Sequence, residues 1–396
     1  MMKFSSLYVL VLFVSLSNPS SASDTTFNVL NFGAIGNGVT NSTQAFLDAW
    51  SAACSSASST LIYVPKGRYL LGSMIFNGGC KSPGITIRID GTLVAPVDYH
   101  ALGSYWLSFL GVSDVSIIGG ALDAKGSALW ACKAAASMES HNPCPDGATS
   151  LSFTNSNNIT IKGLMSLNSQ LYHIVINSCQ NVAVEGVTTI AAGDSPNTDG
   201  IHVQLSSYVQ ITNCIIKTGD DCISIGPGTE NLWIEHVICG PGHGISIGSL
   251  GKNLKERGVK NVTVKQTIFV GSQNGLRIKS WARPSSGFVQ GIRFLEAIMK
   301  DVQNPILIDQ NYCPHNISCP EQASGVRITD VLYQGIRGTS ATPIAIKFDC
   351  SVQNPCTGIR LQNVNLAYLN QTEMTQSFCA NVVGKVLGLI RPNSCL

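Results

Sequence analysis

Three chemically loaded side chains recur at one interval. Asp199, Asp221 and His243 follow one another at steps of 22 residues, and Asp220 stands beside the middle one. A repeat of about 20–50 residues calls for a solenoid before any other architecture, and a step near 22 is one coil of a parallel β-helix. Stacked strands lie about 4.8 Å apart, so this cadence sets the carboxylates and the imidazole in one column on one face. Such a cluster is arranged for catalysis, not for packing.

A short strand pattern returns along the chain. It reads Asn158-Ile159-Thr160-Ile161, Asn181-Val182-Ala183-Val184, Tyr208-Val209-Gln210-Ile211, Asn231-Leu232-Trp233-Ile234 and Asn261-Val262-Thr263-Val264. An earlier copy starts at Asp114, and later ones at Gly291, Gly325 and Gly358. From Asn158 onward the starts are 23 to 34 residues apart, so the corners vary in length while the strands keep their alternation. Period-2 alternation points one side chain in and the next out. Hairpin signals are scarce, and the repeat exceeds the spacing of about 8–12 residues that hairpins give. Asn at a recurring corner suits left-handed backbone and can bond to its counterpart on the next coil. These features predict an all-β chain, a single-stranded parallel β-helix of about ten coils. An end cap must hide its open edge. A helix over Asn41 to Cys54 serves, with Ala45, Phe46, Ala49, Trp50 and Ala53 on one face.

Residues 1–23 read as a signal peptide: Lys3, an apolar stretch from Leu7 to Leu16, then Ser20-Ser21-Ala22-Ser23. The apolar stretch is too short to span a bilayer. Residues 24–396 are then one secreted domain, for no linker or charge run interrupts them. Charged residues make up 12% and there are 38 glycines, which suits buried parallel strands and disfavours disorder. A net charge of +2 points to neither nucleic acid nor a membrane as partner. Attraction for an acidic substrate has to come from local groups.

With 14 cysteines behind a signal peptide, disulfides are expected between sequence neighbours. The pairs are Cys132–Cys144, Cys222–Cys239, Cys313–Cys319, Cys350–Cys356 and Cys379–Cys395, with Cys54–Cys80 across a longer span. Cys179 and Cys214 remain as buried thiols. Asn41, Asn158, Asn261, Asn316 and Asn370 open N-glycosylation sequons.

The chemistry lies in Asn197-Thr198-Asp199, Gly219-Asp220-Asp221, Gly242-His243-Gly244 and Arg277-Ile278-Lys279. Singly, these are a turn, a solvated corner, a tight bend and a charged edge. At coil spacing they make a site. Glycosidic hydrolysis takes one carboxylic acid to protonate the leaving oxygen and one carboxylate to activate water or attack. Three crowded carboxylates cannot all ionise easily, so one pKa rises and that group can serve as the acid. A corner or bulge at Gly219 brings both Asp220 and Asp221 to the cleft, and the glycines around His243 let a sugar chain approach the backbone. Arg277 and Lys279, two apart, project from one side of a strand and suit a sugar carboxylate.

In this order and spacing the four motifs resemble the polygalacturonases of glycoside hydrolase family 28, the plant branch in particular. The likeness runs from Phe27-Asn28-Val29 and Asn31-Phe32-Gly33-Ala34 to the final cysteines. It implies a right-handed coil and inverting, metal-free hydrolysis of α-1,4-linked galacturonic acid in pectin by a secreted monomer of the cell wall. It also implies Asp220 as general acid, Asp199 and Asp221 on the attacking water, and His243 tuning the acid. Arg277, Lys279 and Tyr312 then bind the galacturonate. No cofactor follows from the resemblance. Endo attack is favoured because no large insertion interrupts the coils near the site. Two other classes remain: a calcium-dependent pectate lyase, for which paired aspartates would suit Ca²⁺, and an inactive wall-binding protein, against which stands the complete set of acids.

Overall fold

Short aliphatic runs flanked by corner residues cannot bury their apolar side chains alone; stacked coil upon coil, they can. The computed structural model describes residues 25–136, 144–314, 317–370 and 374–396; the signal-peptide segment lies outside them. Among these residues the strands form two parallel sheets, one of 24 strands and one of 11. The larger bends at a corner in every coil, so each coil presents three short faces. The chain is a right-handed parallel β-helix, and its smaller sheet has one strand more than the ten coils expected.

The repeated pattern lies where the sequence placed it. Ile159, Val182, Val209, Leu232 and Val262 pair in register on successive strands and are all buried. In the smaller sheet Ile174, Ile201, Ile223, Ile245 and Leu276 form a second buried column. Asn158, Asn181, Asn231 and Asn261 have φ of 53–56°, the left-handed region that asparagine tolerates best after glycine. Their amides bond between coils as expected: Asn158 Nδ2 donates to Asp114 Oδ1 at 3.0 Å and Asn181 Nδ2 to Asn157 Oδ1 at 3.1 Å.

The cap is α1, Thr43–Ser55, with the five predicted residues buried. It begins two residues later than the sequence suggested because Asn41 acts as a cap. Asn41 Oδ1 accepts from Thr43 N at 2.9 Å and Thr43 Oγ1 at 2.6 Å. Trp50 packs edge-on against Phe76 (5.1 Å) and Phe109 (5.6 Å), and Phe76, Phe109 and Phe153 stack along the coil axis. Full burial of such a ring contributes about 2–3 kcal/mol, enough to seat the cap. A second helix, α2 (Ser127–Ala136), was not anticipated; the alanines of Ser127-Ala128-Leu129-Trp130-Ala131 favour it.

All six disulfides form as paired from the sequence. Cys179 and Cys214 are free and buried. Such crosslinks fit an extracellular protein. Among the described residues no helix is long and apolar enough to cross a membrane. Asn41, Asn158, Asn261 and Asn370 are exposed; Asn316 lies outside the described residues.

Candidate active site

Asp199, Asp221 and His243 each stand two residues before a buried position of the smaller sheet, at Ile201, Ile223 and Ile245, which pair in register. The 22-residue cadence is therefore the coil itself, and the three side chains share one entry corner. Asp220 joins them from the same turn. Its Oδ1 accepts from Asp221 N at 2.8 Å and meets His243 Nδ1 at 3.0 Å, while Oδ2 accepts from Asn197 Nδ2 at 3.2 Å. His243 is fixed in turn: its N–H donates to Asp220 O at 2.8 Å, and its carbonyl accepts from Asn274 Nδ2 at 3.2 Å.

Glycine serves this corner differently from the sequence expectation. A Cβ on Gly242 would lie 2.7 Å from Asp220 O, and one on Gly244 2.2 Å from Asn274 O. Both glycines let neighbouring coils touch each other. Gly219 is likewise pressed on Ser195, whose carbonyl oxygen would be 2.2 Å from an added Cβ.

Arg277 and Lys279 do project from one side of a strand, and both reach Asp221. Arg277 Nη2 lies 2.6 Å from Asp221 Oδ1 and Lys279 Nζ 2.9 Å from Oδ2. Ser246 Oγ donates to the same Oδ1 at 2.8 Å and accepts from Arg277 Nε at 2.9 Å. Asp221 is 1% exposed, Arg277 7% and Lys279 6%, so this is a desolvated ion triad. Tyr312 lies under Lys279, with 5.1 Å from Nζ to its ring centre, and edge-on to Trp281.

Asp199 has the raised pKa. Its burial comes first among the causes, then the charges of Asp220 and Asp221, only partly offset by Ser224 and Lys279. Burial also pushes Asp220 up, but the hydrogen bond and charge of His243, together with Lys279 and the Asp221 N–H, outweigh it and bring it to about 2. The carboxyl raised by crowding is thus Asp199, whereas the resemblance gives the acid's role to Asp220.

Asp220, Asp221 and His243 bring possible metal-ligand atoms within 4.8 Å of one another. A divalent cation there would confront the guanidinium and ammonium that already occupy both oxygens of Asp221. These two cations supply the neutralisation that Ca²⁺ would supply, so the donor set does not fit a calcium site.

The cleft has two lobes that meet at Asn197, Asp220 and Tyr312. One lobe holds Tyr172, His202, Gln204, Ser224 and Lys252; the other holds His243, Arg277, Asn304, Asp309 and Lys347. Most of these were missed in the sequence. Yet His202, Ser224 and Ser246 each follow Asp199, Asp221 and His243 by three residues, and they pair in one column that runs on to Arg277. Within it His202 Nδ1 lies 2.7 Å from Ser224 Oγ, and the His202 ring stacks on Tyr172 at 5.1 Å. Burial lowers the His202 pKa.

A carboxylate cluster on one face of a parallel β-helix, with cations beside it, defines a carbohydrate-active solenoid. The chain belongs to glycosyl hydrolases family 28, whose family model matches residues 54–388. It is similar to "Polygalacturonase" of Prunus persica, 56% identical over 98% of this chain and 97% of that protein. Among solved structures, the endo-xylogalacturonan hydrolase of Aspergillus tubingensis superposes with a TM-score of 0.78 at 23% identity, covering 90% of this chain and 98% of that one. The hyperthermoactive exopolygalacturonase of Thermotoga maritima gives 0.76 at 19%, covering 92% and 90%. At these identities the two structures speak for the fold alone.

Proposed function

We propose that this protein is a polygalacturonase that hydrolyses α-1,4-galacturonosyl bonds of de-esterified pectin with inversion. The observation that carries the reading is Asp221 gripped by Arg277 and Lys279 beside the Asp220–His243 pair. In one corner it combines acid, base and a cationic grip for a uronate carboxylate. Asp220 gives its proton to the glycosidic oxygen. Water, held by Asp199 and Asp221, attacks the anomeric carbon from the opposite face and loses its proton to them. Arg277 and Lys279 share their charge between Asp221 and the sugar carboxylate, and Tyr312 carries the sugar ring.

Binding itself arms the acid. Lys279 is one of the causes that hold Asp220 down; a bound carboxylate draws that charge away and adds a negative one, and both effects raise Asp220. The cleft continues on both sides of Asp220, which supports attack inside the polymer. The disulfides, exposed sequons and leader sequence support a glycosylated protein secreted to the cell wall.

Digestion of de-esterified polygalacturonate in EDTA tests the reading. New reducing ends without an ultraviolet-absorbing unsaturated product, and with early loss of viscosity, are the expected result. An absorbing product, or activity only with added calcium, would identify a lyase instead.

A further inference from the structure

The column that contains Arg277 does not stop there. On the next three coils it continues through Leu307, Lys347 and Phe378, paired in register. Lys347 lines the lobe beyond Tyr312, and Phe378 follows it in the same column on the next coil. Strand spacing of about 4.8 Å puts Lys347 about 10 Å and Phe378 about 14 Å from the level of Arg277. A sugar polymer laid along the coil axis advances by a comparable step per residue.

Two features there have no account in packing. Phe378 is an aromatic ring 43% exposed on the last strand of its sheet. Lys347 is 38% exposed in its side chain, and its ammonium stands 5.9 Å from the centre of that ring. Its nearest acid, Asp349 Oδ2, is 3.4 Å away, long for a charge-assisted bond. The other oxygen of Asp349 accepts from Asn311 Nδ2 at 3.0 Å. Asp309, whose carboxyl burial pushes up, lines the same lobe. Lys347 is thus oriented by its acidic neighbour while its donors remain open to the cleft.

We infer that Lys347 and Phe378 form a distal subsite for a galacturonate unit two to three residues from the scissile bond, on the Arg277 side. This rests on the proposed polygalacturonase activity and extends it. Lys347 binds that unit's carboxylate, and the flat Phe378 ring supports its C–H face. The subsite gives the enzyme a preference for longer, locally de-esterified stretches, because one esterified unit at that position removes the charge Lys347 reads.

The test uses Lys347→Gln and Phe378→Ala in the full protein. kcat/KM is measured on the shortest oligogalacturonide the wild type cleaves and on one several units longer. The ratio of the two cancels any loss of folded enzyme. The expected result is a fall of about tenfold on the long substrate for Lys347→Gln, the scale of one partly exposed charged hydrogen bond, with the short substrate unchanged. Cleavage positions in the end-labelled long oligomer should also move. An unchanged ratio for both variants, with the wild type active, would overturn the subsite and leave the activity standing. A wild type inactive on every length would sink the activity and the subsite together.

Discussion

Lys279 Nζ lies 2.9 Å from Asp221 Oδ2, so the residue read from the sequence as a substrate clamp holds the carboxylate proposed to act on the attacking water. Lys279→Ala therefore has two effects. KM for polygalacturonate rises and discrimination against methyl-esterified pectin weakens, because a carboxylate contact is lost. kcat falls as well, because Asp221 loses one of its two cations. A total loss of about 100-fold in kcat/KM is expected, with about 2–3 kcal/mol of stability, since Arg277 still covers the charge. A double-mutant cycle with Asp221→Asn should show strong non-additivity. Additive losses would separate the two residues and refute the shared role.

Ser246 joins the two charges, donating to Asp221 Oδ1 and accepting from Arg277 Nε. Both of its partners are ionised and buried. Ser246→Ala leaves each short of a bond, at a cost of about 1–3 kcal/mol. Thermal unfolding should show that loss together with a reduced kcat. A variant as stable and as fast as wild type would make the hydroxyl incidental.

Asp199 gives a pH signature with a definite sign. Its folded pKa lies above the ordinary value of 3.8 because of burial and the neighbouring carboxylates. Its contribution to stability is therefore fully present below that value and is lost as pH rises through the folded pKa. Asp199→Asn keeps the shape and cannot ionise. The Tm of the variant relative to wild type should rise as pH increases from below about 4. A flat or falling difference would mean that Asp199 is not the strained carboxyl.

Much of this was legible because the coil writes itself into the sequence as an interval. Asp199, Asp221 and His243 could be stacked before any coordinates, since a column in a solenoid is only a repeated number. The cap and the disulfides followed from equally local signals. Partnerships across strands were harder. Arg277 and Asp221 are 56 residues apart, and nothing in Arg277-Ile278-Lys279 says whether its charges face a sugar or a neighbouring acid. Which aspartate is raised and which is lowered was equally hidden, because burial and His243 act on Asp199 and Asp220 through three-dimensional distance alone. The coil contact at these glycines was hidden for the same reason: close approach of two coils and close approach of a ligand demand the same residue.

Gly244 puts that last point to the test. Its φ is +85°, and an added Cβ would lie 2.2 Å from Asn274 O and 2.5 Å from Gly275 O. Backbone on a packed coil cannot move aside cheaply. Gly244→Ala should cost about 3 kcal/mol or more and displace His243, so both Tm and kcat fall. Loss of KM alone, with stability kept, would restore the view that this glycine makes room for sugar.

Asp220 closes the argument, because it must lose its proton easily in the free enzyme and hold it in the complex. Asp220→Asn should lower kcat about 10²–10⁴-fold, the contribution of a positioned general acid, while folding and oligosaccharide binding persist. Full activity in that variant would remove Asp220 from the role. The wild type offers a subtler check. His243 and Lys279 hold free Asp220 at about 2, whereas a bound uronate draws off Lys279 and raises it. The profile of kcat/KM reports the free enzyme and that of kcat the complex. The descending, basic limb, where the acid loses its proton, should therefore lie at higher pH for kcat than for kcat/KM. Coincident limbs, or a kcat limb at lower pH, would show that substrate does not arm Asp220 and would direct attention to the proton on Asp199.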